Sequence, residues 1–150
     1  MADSRIVTIS KKIAELIGVD YAAKSSGLNL TDRVIRGSAI EPGYQPCAFV
    51  LFNQALESYG PTLGRFQFTC EFQIYCFVGG SSLQERFDNA ANLSSDIIES
   101  ITENRRLGLG NKVDDVLCSF TAIDGAKYGL DQYGIGYIQV DVQCVSDTGA

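Results

Sequence analysis

The chain contains no histidine. Ser–His–Asp triads, Cys–His pairs and histidine-bearing metal sites are therefore excluded. Carboxylates, tyrosines, lysines and thiols remain. Asp114 and Asp115 are adjacent acids, but neighbours on a strand point to opposite faces. They are expected to be a polar turn before a strand, not a metal or acid–base pair. The segment "VGGSS" (78–82) is a glycine-rich turn leading into a helix, and helix N-termini can hold phosphate. It lacks both the Lys-Ser/Thr pair of a P-loop and the spacing of a dinucleotide fingerprint. A capping box, Ser82 with Glu85, already accounts for its serine. The segments "GLG" (108–110) and "GIG" (134–136) are read as a helix stop and a strand entry. No catalytic, cofactor-binding or metal-ligating residue is assigned, and the chain is not expected to be an enzyme.

Five cysteines are present, none in C-x-x-C spacing. Cys70 and Cys76 lie six positions apart on one strand, about 20 Å. A disulfide needs Cα atoms within about 7 Å. All five are expected to be reduced core thiols. Of the seven tyrosines, Tyr44, Tyr59, Tyr128 and Tyr133 fall in expected loops. Such tyrosines suit either a protein interface or simple tacking of their own loops.

These residues sit in a chain of 150 with a formal charge of −6, long enough for one domain, residues 1–150, with its own core. No basic stripe is visible, so sequence-specific grip on nucleic acid is not expected. The apolar runs are too short to span a bilayer. The start, "MADSRIVTISKK", lacks the pattern of a signal peptide, so the chain is expected to stay in the cytoplasm where it is made.

The elements follow from periodicity. Ile6, Ile9, Ile13, Leu16 and Ile17 predict a helix over 4–17. Residues 18–45 carry little pattern, apart from a short edge strand at Val34 and Ile35. "PCAFVLF" predicts a strand over 47–52, buried on both faces, followed by a loop, "NQALESYGPTLG". "RFQFTCEFQIYCFV" (65–78) then alternates: Phe66, Phe68, Cys70, Phe72, Ile74 and Cys76 on one face, Gln67, Thr69, Glu71 and Gln73 on the other. Leu83, Phe87, Ala90, Ser94, Ile97 and Ile101 predict one stripe of a second helix. Val116, Cys118, Phe120 and Ala122 mark one face of a strand, and Ile138, Val140, Val142 and Cys144 one face of another. The expectation is α+β: an antiparallel or mixed sheet with a long β-hairpin, packed against two helices on one face, the other face wet.

This order, and the texture of "YQPCAFVLF", "RFQFTCEFQIYCFV", "GGSSLQERFDNAANLSSDIIESI", "DDVLCSFTAID" and "YGIGYIQVDVQCV", resembles the tail terminator family of long-tailed bacteriophages. The resemblance covers most of the chain and is weakest over 20–45. It implies a structural virion protein at the tail–neck junction. Its partners would be copies of itself in a ring, a hexamer in that family, with the tail tube protein, a neck or connector protein and, in contractile tails, the sheath. It implies no cofactor and no membrane; DNA would pass through the ring. A neck adaptor, or a small monomeric or dimeric binding domain, is the alternative.

The 14 residues of 65–78 extend to about 46 Å, whereas a domain of this size is about 40 Å across. The excess predicts either a bulge that tucks the strand in or a protruding tip that seeks a neighbour. On the second reading the candidate assembly residues are Leu56, Tyr59, Leu63, Phe66 and Phe68.

Overall fold

The computed structural model describes residues 4–18, 30, 33–37, 46–59, 66–110, 113–123, 129–130 and 132–146; for 57–59, 66, 145 and 146 it describes the backbone alone. Chain order is α1 (Arg5–Gly18), β1 (Val34–Arg36), β2 (Cys47–Tyr59), β3 (Phe66–Val78), α2 (Leu83–Thr102), β4 (Asp115–Ile123) and β5 (Gly134–Ser146). Among the described residues the strands form one sheet in the order β1-β2-β3-β5-β4. Only the β1–β2 pair is parallel; the other pairs are antiparallel. The fold is α+β with a mixed sheet.

The strand over 66–78 lies in the middle. It pairs along its whole length with β5 and from Phe66 to Phe77 with β2. Its even positions from Phe68 to Val78 are buried. They meet Ile9, Ile13 and Ile17 of α1 and Leu93, Ile97 and Ile101 of α2 in one apolar cluster. The period of 2 on the strand and of 3.6 on the helices thus converge on one layer. Each fully buried side chain of this size contributes about 1.5–3 kcal/mol.

Four expectations are corrected. First, residues 53–59 are strand, not loop: β2 runs 13 residues to Tyr59. The bulge that length arguments allowed is present, but on β2. Phe52 pairs with Phe72 and Gln54 with Glu71, so Asn53 is the extra residue. The strand β3 keeps an unbroken register with β5.

Second, the stripe on α2 is buried only from Ala90 onward. Leu83 and Phe87 are exposed, so the first turns of the helix carry apolar side chains to solvent. Third, Phe120 and Ala122 share the helix-side parity of β4, yet both are exposed. β4 is an outer strand, and helix cover ends before its last rungs. Fourth, the face opposite the helices is not uniformly wet. Cys47, Phe49, Phe77 and Ile135 are buried there, with Tyr75, Ile123, Leu130 and Tyr133 packed around them. Phe77 meets Phe49 edge-on at 5.8 Å and Tyr133 at 5.9 Å. Alternation failed at Phe77 because this second cluster also needs an apolar residue at an odd position.

Helix α2 can lie close to the sheet because of the two glycines in "GIG". A Cβ at Gly134 would fall 2.0 Å from the Arg86 carbonyl oxygen. One at Gly136 would fall 2.1 Å from Ser94 Oγ and 2.8 Å from Cys76 Sγ. These glycines are close-approach positions and not merely a strand entry. Ser94 and Cys76 fill the space with a buried hydroxyl–thiol contact of 3.2 Å.

Candidate assembly surface

The expected chemistry resolves into structural contacts. Ser82 caps α2: its hydroxyl accepts from the Glu85 backbone N–H at 3.1 Å. The Glu85 carboxylate accepts in return from the Ser81 N–H at 3.3 Å and from the Ser81 hydroxyl. These bonds, led by that of the Ser81 side chain, hold the Glu85 carboxyl below its ordinary range. Two of the N–H groups at this helix start, those of Ser81 and Glu85, are thereby taken up within the chain.

Asp115 receives two bonds from Arg105, Nε at 2.9 Å and Nη2 at 2.7 Å. That pairing depresses the Asp115 carboxyl. Helix α2 stops at Thr102, and the Arg105 guanidinium ties the turn after it to the start of β4. The turn itself needs left-handed backbone at Leu107, Gly108 and Gly110, and two of those positions carry the residue that adopts it freely.

Cys47, Cys70, Cys76 and Cys144 are buried, Cys118 is partly exposed, and all five are free thiols. Burial pushes Cys76 up to about 11. Burial and the nearby Asp141 carboxylate do the same to Cys118, to about 11. Cys70 and Cys144 share a hydrogen bond that lowers Cys70 and raises Cys144. Among the described residues no group of three or more Cys, Asp or Glu is placed to hold a metal ion. No described helix is long and apolar enough to cross a membrane.

The five candidate assembly residues meet different fates. Leu56 is exposed and sits opposite Thr69, on the face away from the helices. Tyr59 and Phe66 pair with each other at the last described rung. Leu63 lies outside the described residues, as do Tyr44 and Tyr128. Phe68 is buried within its own chain. The Arg5 guanidinium at the start of α1 lies 5.6 Å from its ring centroid, a cation–π contact that covers it. Phe68 therefore needs no neighbouring copy: α1 reaches far enough to cover it.

Further apolar residues are exposed. Phe52 lies on the helix side of β2, edge-on to Phe72 at 5.5 Å, yet is largely exposed. With Ile6, Val7, Ser10, Arg36, Gly37 and Val50 it lines an open groove of about 280 Å³. Ile35 on β1 and Leu117 on β4 are also exposed. Ile35 lies in the edge strand that the sequence predicts at Val34 and Ile35, whereas the exposure of Phe52 and Leu117 depends on strand order, which periodicity does not report.

The open face of the sheet is amide- and acid-rich. Glu71 Oε2 accepts from Asn53 at 3.2 Å and from Gln54 at 2.8 Å. Gln139 donates to Asp141 at 3.1 Å and receives the Tyr137 hydroxyl at 3.4 Å. The bulge at Asn53 makes the first of these clusters possible by placing two amides beside one carboxylate.

No protein-family model matches this chain, and no curated protein matches its sequence.

Proposed function

We propose that this chain is a structural virion protein that assembles into a ring on the end of a phage tail tube. It would end tube polymerisation there and form the joint to the neck or connector, meeting the sheath where the tail is contractile. The observation that carries this reading is the layout. A helix, a three-residue strand, a pair of 13-residue antiparallel strands, a second helix and a closing strand pair follow one another, an order that resembles that of the tail terminator family. Supporting it are the apolar side chains on the outer strands and the amide and carboxylate character of the open face. That face suits a passage through which DNA slides without adhering, because it offers the phosphates carboxylates to repel them. The ring would be homo-oligomeric, a hexamer if it follows the family, and would act at the tail–neck junction after synthesis in the host cytoplasm.

The groove beside Phe52 favours one other reading, a small monomeric or dimeric binding domain that takes an apolar segment there. A neck adaptor is the nearer alternative and would share the self-association. The test is co-assembly with polymerising tail tube protein. The terminator reading expects tubes that stop growing when this protein is added and carry it at one end. Tubes that elongate unchanged in its presence would contradict it.

A further inference from the structure

We infer that copies of this chain join edge to edge, the free part of β2 in one copy pairing antiparallel with β4 of the next. The inference takes the self-association of the proposed function as given and names the surfaces that make it.

The sheet has two outer edges. β1 pairs with β2 only at Ala48, Phe49 and Val50, so among the described residues 51–59 have no strand on that side. β4 is the last strand at the other end. The free part of β2, "LFNQALESY", and β4, "DVLCSFTAI", are nine residues each. Neither contains Lys, Arg or Pro, which commonly protect an open edge against pairing; β2 does carry the Asn53 bulge, which here sets the register.

Their apolar residues match. Phe52 lies opposite Phe72 and Leu56 opposite Thr69. The Asn53 bulge therefore makes them three rungs apart, although they are four residues apart. Phe120 lies opposite Ile138 and Leu117 opposite Asp141, again three rungs apart. Directly opposed residues point to the same side of a sheet. Phe52 and Phe120 thus share the helix face, and Leu56 and Leu117 the open face. The four are similarly exposed, at 43%, 38%, 50% and 50%. An antiparallel joint sets Phe52 against Phe120 and Leu56 against Leu117 in a single register.

The directions also agree. Three antiparallel steps separate β2 from β4, so within one copy they run oppositely. A neighbour rotated about an axis along the strands keeps its strand direction and its faces, so its β4 arrives antiparallel to β2. Such a joint uses two different surfaces and repeats head to tail, as a ring requires. Within one copy Phe120 lies level with Val50 and Leu117 level with Gln54. The joint shifts each copy by two residues, about 7 Å along the strand, which tilts the strands as closed sheets require.

The same register puts Cys118 of one copy opposite Ala55 of the next, both on the helix face. Opposed Cα atoms lie about 4.5–5.5 Å apart, within the reach of a disulfide. Ala55 is exposed, so Ala55→Cys leaves the core intact. The test is non-reducing electrophoresis of Ala55→Cys after copper–phenanthroline oxidation, in which each thiol pair gives two electrons and two protons to dioxygen. Wild-type protein is sized by light scattering in parallel. The joint predicts a covalent ladder of dimers, trimers and higher species for Ala55→Cys, lost in Ala55→Cys/Cys118→Ser. Oligomeric wild type without that ladder, or a ladder that survives Cys118→Ser, overturns the edge joint and leaves the ring. Wild type that stays monomeric, with no ladder, overturns both.

Discussion

Phe72 and Gln73 are neighbours on the central strand with opposite environments. Phe72 is fully buried among the helices, whereas Gln73 faces the open side and is partly exposed. Phe72→Ala is expected to cost about 3–5 kcal/mol, and Gln73→Ala under about 0.5 kcal/mol, in chemical denaturation. Equal losses would mean that the faces are assigned the wrong way round. The thiols give a second comparison. Native protein at pH 8 should label slowly, since burial disfavours the thiolates of Cys76 and Cys118. Cys118 should react first because it is the one partly exposed, and denatured protein should titrate five. Asp115 supplies a pH signature. Arg105 lowers its folded pKa relative to an unfolded value of about 3.9. The folded state therefore gains from the pair above that value and loses the gain as pH falls through the folded pKa. Asp115→Asn should melt slightly earlier than wild type at pH 7, and the two melting points should converge toward pH 2. A gap that widens with acid would exclude this pairing.

Helix α2 packs closely on strand β5, and two glycines permit it. Gly134→Ala places a methyl group against the Arg86 carbonyl, a backbone atom that cannot rotate away. Overpacking of this kind costs about 1–3 kcal/mol, so a clear drop in melting temperature is expected. An unchanged melting point would show that α2 rides higher on the sheet. The apolar comb over 66–78 and the buried half of α2 were legible in sequence because each has a single period and a single covered face. Leu83 and Phe87 continued the stripe on paper, but the helix outruns its cover at that end. Residues 53–59 read as loop in sequence because the bulge at Asn53 breaks their alternation. The edge strand at Ile35 was legible too, but Phe52, Leu117 and Phe120 share exposure beside open strand edges, a relation that exists only once strand order is known. Of the candidate site, Leu56 and the Tyr59–Phe66 rung stand at the sheet's outer end, while Phe68 was claimed by Arg5, a residue with no apolar signature.

At the scale of the molecule, edge pairing in the proposed ring and the formal charge of −6 would act in opposite directions. Strand pairing and apolar contact would draw copies together, and like charge would hold them apart. Salt screens the repulsion but not the apolar burial. Association should accordingly strengthen as ionic strength rises from about 50 to 300 mM, where the Debye length falls below about 10 Å. Weakening with salt would point to an interface made of ion pairs instead.

A closed ring, as proposed, has a direct readout in negative-stain electron microscopy of the purified protein: annular particles of uniform diameter with a central channel. Small featureless particles of single-copy size, under the same low- and high-salt conditions, would contradict it.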